Sequence, residues 1–136
     1  MGDRCHQEVV CMKKDKAVFE HLGFVDQGEY LDSDGKKYPE LALLVDEQAN
    51  YAHSGSIDPL AHKGIVFIGS HGDGGDYPGC NFASDGKRYG EVITAHGQPV
   101  VALDDGGNAD KSAVARAKRY LKVLRAAHKL LGLPPL

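Results

Sequence analysis

The 136-residue chain contains no tryptophan, two methionines and three cysteines, and only 7% of it is aromatic. The cysteines, Cys5, Cys11 and Cys80, are odd in number and unremarkably spaced. That argues against the disulfide framework of small secreted domains and predicts reduced thiols in a reducing compartment. Long apolar runs are also missing, the longest being residues 41–45 and 65–68. A membrane span needs about 20 apolar residues, so neither qualifies. The start Met1-Gly2-Asp3-Arg4 lacks a secretory pattern, and His6 stands where N-myristoylation needs Ser or Thr. A soluble, cytoplasmic protein with no membrane partner is expected.

Several catalytic signatures fail on context. The Gly-rich stretch after residues 65–68 lacks the Gly-Lys-Ser/Thr of a P-loop and runs into Tyr77-Pro78 instead of a helix. The dinucleotide fingerprint fails for the same reason. A nucleophile elbow is excluded because Ser70 is preceded by Ile68-Gly69. Asp32-Ser33-Asp34-Gly35 places its glycine too early for a calcium loop, and Leu43 stands where the closing glutamate would be.

What is present is ordinary globular chemistry: 42% hydrophobic and 26% charged residues. A chain of this length buries about two-thirds of its unfolded surface, so a single domain over residues 1–136 is expected, with 133–136 a short tail. The net charge of −3 conceals a split. Residues 109–132 hold seven Lys or Arg against Asp110, about +6, while the remainder carries −9. Such a split bears on association and steering, not on fold.

Apolar periodicity and turn residues predict the elements. A strand is expected over 5–12, with Cys5 and Cys11 on one face. A short helix capped by Asp15 should run through His21 and stop at Gly23. Residues 24–31 read as extended, 32–35 as a turn, 38–46 as a strand buried on both faces, and 50–64 as irregular. A strand over 65–68 leads into a loop over 69–79. Residues 82–94 read as a hairpin turning at Asp85-Gly86 in the type I′ manner, and 99–103 as a last strand. Asn108 or Asp110 should cap a long helix to about Leu131, stopped by Gly132. The fold class is therefore α+β: a mostly antiparallel sheet of about five or six strands, one short N-terminal helix, and one long amphipathic C-terminal helix on a sheet face. Residues 33–40 match 84–91 at six of eight positions, which recurring turn chemistry explains more simply than duplication.

In the final helix, Lys111, Lys118, Lys122, Arg125 and Lys129 fall within roughly 60° at about 100° per residue. Val114, Ala117, Tyr120, Leu121, Leu124, Ala127 and Leu131 lie opposite and should dock on the sheet. A basic stripe without aromatic platforms, in a chain of pI near 6, disfavours nucleic acid and favours an acidic protein partner.

The loop over 69–80 is the expected functional surface. It lets backbone approach a ligand closely, and Ser70, His71, Asp73, Asp76 and Tyr77 supply polar and aromatic contacts. His53, His71, Asp73 and His96 are weak metal candidates at no diagnostic spacing. Cys80, between Gly79 and Asn81, reads as exposed and reactive, whereas Cys11 reads as a small buried hydrophobe.

The leading expectation is a small non-enzymatic binding or regulatory protein, inhibitor- or adaptor-like. It would use the 69–80 loop and the basic helix face, with Lys118, Lys122 and Arg125 meeting a protein partner. One alternative is a metal-assisted hydrolase centred on His71 and Asp73. Another is a small-molecule or nucleotide-binding module using the loop amides. No cofactor is expected.

Overall fold

The structure, a computed structural model, describes residues 3–136, so the reading at Gly2 lies outside the described residues. The strands are β1 (Arg4–Met12), β2 (Val25–Leu31), β3 (Lys37–Asn50), β4 (Val66–His71), β5 (Gly79–Asp85), β6 (Tyr89–Ala95) and β7 (Gln98–Pro99). The helices are α1 (Lys16–Leu22) and α2 (Lys111–Leu131). All seven strands join one sheet in the order β2-β3-β1-β4-β5-β6-β7, and every pairing is antiparallel. The α+β class holds, with seven strands where five or six were expected. Among the described residues no helix is long and apolar enough to cross a membrane.

β1 is central because both its edges and both its faces are used. Its odd-numbered side chains enter one core, where Val9 and Cys11 meet Phe19, Phe24, Leu44, Phe67 and Phe82. That core is roofed by α1 and by the 3-10 segment Asp58–Lys63, which lays Leu60 over it. Val10 faces the other way, into a second core closed by Leu131 and Leu133 from the end of α2. α2 thus crosses the second sheet face from β6 toward β1, and Tyr120, Val123 and Ala127 pack on Ala83 and Val92 midway. Asp110 Oδ1 accepts the Ser112 amide at 2.9 Å and caps α2, as one of the two expected residues should.

Some expected details change for physical reasons. The buried seam of α2 is Tyr120, Val123, Ala127 and Leu131, while Leu121 is 40% exposed. The apolar stripe is therefore narrower than predicted, and Val123 belongs in it. β4 continues to His71, because β1 and β5 supply ladder partners on both sides that far (Gln7 opposite His71, His71 opposite Cys80). The loop accordingly shortens to 72–78. The last strand shrinks to Gln98–Pro99, where Pro99 lacks a donor, leaving an isolated Leu103–Ala109 bridge. The β5–β6 connection is three residues long, with Asp85 Oδ1 accepting the Lys87 and Arg88 amides and only Gly86 at positive φ. A type I′ turn needs two such residues, so the turn is of another kind. Asp32 holds its turn through the amides of Asp34 and Lys36, and Asp104 holds the loop before α2 through those of Gly106 and Asn108. The real conformational echo links 32–36 with 104–108, not 33–40 with 84–91.

Gly90 is where α2 comes closest. A Cβ there would sit 2.8 Å from Tyr120 Cα and 3.3 Å from its nitrogen, contacts that only a shift of the helix could relieve. Gly90→Ala is expected to cost about 1–3 kcal/mol in urea unfolding, the usual penalty of overpacking. Gly72→Ala, where a Cβ meets nothing within 4 Å, should stay within about 0.5 kcal/mol of the parent. Equal costs for the two would refute close docking of α2 at Gly90.

Candidate functional site

Antiparallel pairing sets a row of side chains across the sheet. Asp46 on β3 stands opposite Gln7, Gln7 opposite His71, His71 opposite Cys80, and Cys80 opposite Ile93 on β6. Directly opposed residues project from the same face with Cβ atoms about 4.5–5.5 Å apart, so these five form a continuous strip. The next row is Leu44, Val9, Gly69, Phe82 and Glu91. Gly69 is required there: a Cβ would lie 2.5 Å from both the Phe82 ring and the Glu8 carbonyl oxygen. Its absence lets Phe82 lie across β4 and leave the polar row open above it.

Over this strip lies a cavity of about 510 Å3, with Gln7, His71 and Cys80 in its wall and Tyr51, His53, Tyr77, Tyr89 and Arg116 around it. Its roof is strained. Tyr51, Ala52 and His53 all have positive φ, near 49°, 52° and 54°, a backbone that costs non-glycine residues of order 1–3 kcal/mol each. Three contacts hold the turn. The Tyr51 amide donates to the Asp3 carbonyl at 2.8 Å, Ala52 is buried against Cys5 and Ala49, and His53 Nε2 meets Asp46 Oδ2 at 2.8 Å. The His53 ring also lies 4.9 Å from that of Phe24. Strained turns pinned this way concentrate at functional sites.

Gln7 is the most informative member. It is 1% exposed, and among the described residues its Oε1 has no hydrogen-bond partner. A buried acceptor left unpaired costs about 1–3 kcal/mol, so native proteins seldom keep one without a use. On the β6 side, Glu91 Oε2 lies 3.5 Å from Cys80 Sγ and 3.3 Å from the Tyr89 hydroxyl, both able to donate to it. Burial, then the Glu91 carboxylate, pushes the Cys80 thiol up to about 12. The same two causes raise Tyr89. At the mouth, a hydrogen bond to Asp3 and the charge of that carboxyl raise Asp76. Tyr77 closes the rim, its hydroxyl donating to the Asp3 carbonyl at 2.6 Å and its ring edge-on to His71 at 5.7 Å.

The residues expected to form one site divide. His71, Asp76 and Tyr77 line the cavity together. Ser70 alternates to the opposite face of β4 and, with Asp73 and His96, lines a second depression of about 610 Å3, which His71 and Pro78 share with the first. Lys118, Lys122 and Arg125 are exposed on α2, across the sheet from the cavity. Among the weak metal candidates, His53 is paired with Asp46, and His71, Asp73 and His96 line the second depression with Ser70. Among the described residues no group of three or more His, Cys, Asp or Glu is placed to hold one ion. Cys80 corrects an expectation outright: it is buried at 6% exposure, because β5 is paired on both edges there. Cys11 is wholly buried, as expected.

Gln7, Asp46, Glu91 and Arg116 were not anticipated. A signal existed for Gln7, since it shares the inward parity of Cys5, Val9 and Cys11 within one strand. The others depend on pairing register and on a turn that local sequence does not announce. No protein-family model, curated protein or solved structure matches the chain.

The two buried thiols, Cys11 in the core and Cys80 in the site, give the fold a pH signature. Burial first, then the charges of Asp15 and Asp26, raises Cys11 to about 12, and Cys80 is raised as far. Each keeps its proton in the fold where the unfolded chain, at the ordinary value of 9.0, releases it. That stabilisation is complete below about pH 9 and is lost as pH rises toward 12. Thermal melts should show Tm falling through this window, less steeply in a Cys11→Val/Cys80→Ala variant. Equal slopes in the two proteins would remove the thiols as the cause.

Proposed function

We propose that the protein is a binding protein whose working site is the cavity over Gln7, His71 and Cys80, where it holds a small polar ligand or a single polar side chain of a partner. The observation that carries this reading is the buried Gln7 amide with its unpaired Oε1. The aromatic side chains of the wall support it, since ligand sites combine apolar hollows with a few fixed polar groups. Binding is favoured over catalysis by the chemistry at hand. A thiol near 12 is not a nucleophile at neutral pH, and Cys80 is hydrogen-bonded to Glu91, not to an imidazole. The Asp46–His53 pair lacks a hydroxyl or thiol bonded to it among the described residues, so a nucleophile–base–acid arrangement is incomplete.

Gln7→Met preserves side-chain size while removing the unpaired acceptor. It is expected to stabilise the fold by about 1 kcal/mol or more in urea unfolding. It should also abolish the thermal shift given by any compound that stabilises the parent in a metabolite screen. A variant less stable than the parent would mean that the amide serves the fold, and the reading would fail.

A second reading, of an acidic protein partner on the opposite face, draws on α2. Lys111, Lys118, Lys122, Arg125 and Lys129 are all exposed, and among the described residues none lies within salt-bridge distance of a carboxylate. Poly-glutamate can stand in for such a partner. Combined Lys118→Glu, Lys122→Glu and Arg125→Glu should weaken its binding about tenfold or more and leave the melting curve unchanged. Undiminished affinity would sink this reading.

A further inference from the structure

The ligand class can be read from what lines the same cavity, so the inference rests on the site just proposed. The wall carries three carboxylates, Asp58, Asp76 and Glu91, against one guanidinium, that of Arg116. At the mouth Asp76 is joined by the Asp3 carboxyl, which bonds to it and raises its pKa. Two carboxyls held this close repel when both are ionised, and a positive charge beside them relieves the repulsion. Tyr89 donates to Glu91 Oε2 at 3.3 Å, and the Cys80 thiol, 3.4 Å from the Asn81 carbonyl oxygen, lies 3.5 Å from the same carboxylate oxygen. Gln7, the most buried polar residue of the wall at 1% exposure, has in its Oε1 an acceptor without a donor among the described residues. Rim and floor therefore call for N–H donors bearing positive charge. Between them stand π faces: Tyr77 near Tyr51 at 6.3 Å, and Phe82 stacked with Tyr89 at 6.3 Å and 22°. Such faces attract cations and accept flat stems.

We propose that the cavity binds an organic cation, an amidinium, guanidinium or primary ammonium on an aromatic or apolar stem, whose charge faces the Asp76 and Glu91 carboxylates and whose N–H groups donate to the Gln7 amide oxygen once that amide rotates to turn it toward the cavity. Lysine and arginine side chains of a protein partner and free amines share this chemistry.

Calorimetric titration of the full chain with benzamidine, benzamide and benzoate separates the terms, because the three share a ring and differ in charge and donors. Agmatine adds a flexible cation. Benzamidine or agmatine should bind at least about tenfold more tightly than benzamide or benzoate, the factor expected for one charge-assisted contact. Gln7→Met and Asp76→Asn should each weaken the cation about tenfold or more. Asp76 is on an exposed loop, so its variant carries the test should Gln7→Met fail to fold. Preference for benzamide or benzoate, lost in Gln7→Met, would overturn the cation class and leave the site standing. Cation binding undiminished in both variants would overturn the site itself. No binding by any of the four compounds would overturn the cation proposal.

A matched pair of peptides, acetylated and amidated, with central arginine or citrulline, distinguishes the sources. Arginine-peptide binding as tight as agmatine's supports a partner side chain. Binding of agmatine alone supports a free amine.

Discussion

The structure depends on the central position of β1, paired along both edges and covered on both faces. In that setting each side chain's fate is decided by parity. Odd positions enter the core beneath α1 and the 3-10 segment, and Val10 enters the core beneath the end of α2. Gln7 therefore cannot turn its amide outward without shifting the register, which would invert every neighbour. The same constraint orders the row from Asp46 to Ile93, since each member is fixed by its ladder partner. A polar strip inside a sheet face costs stability unless something meets it. Here Asp46 is met by His53, Cys80 by Glu91, and one end of Gln7 by nothing within the described chain.

Two local departures from regularity open space above the strip. The β1–β3 register shifts between Cys5 and Gln7, so β3 gains a residue on its way to the left-handed turn at Tyr51. Bulges of this kind bend a strand and re-aim the residues beyond the bend. Gly69 then lowers the floor by letting Phe82 lie across β4. The cavity is thus the product of one shifted register, one strained turn and one missing Cβ, and the last two also serve the hydrophobic cores, through Ala52 and Phe82.

The range of each interaction determines how much of this was legible in the sequence. The short helix, its Gly23 stop, the Asp110 cap and the long helix depend on neighbours within a few residues, and all were readable. The extent of β4 was not, because glycine's local preference for loops is overruled at Gly69 by ladders from β1 and β5. Cys80 was misread for the same reason: flanking Gly79 and Asn81 suggested exposure, while pairing on both edges buried it. The stretch 69–80 brings His71, Asp76 and Tyr77 to the cavity, but alternation along β4 leaves Ser70 to the neighbouring depression, which His71 also lines. Only the register shows which of those two shares a face with Gln7. The matching segments 33–40 and 84–91 misled because identity of residues is not identity of turn. Asp32 and Asp104 make the same hydrogen bonds in sequences that share little.

The charge split has its physical meaning in the two faces of the sheet. Most of the positive excess sits on the solvent side of α2, while Asp58, Asp76 and Glu91 surround the cavity on the other. A sheet with a helix on it separates these groups by more than about 8 Å, the screening length at physiological salt, so the stripe does not neutralise the cavity. Arg116 is the exception, since it lines the cavity from an otherwise remote helix. A cation approaching the mouth feels local carboxylates more strongly than the distant stripe, and an anionic surface meets the reverse on the other face. The fold therefore offers two oppositely charged surfaces that can act independently. Among the described residues, the sheet between them carries one buried side-chain polar atom without a hydrogen-bond partner, Gln7 Oε1.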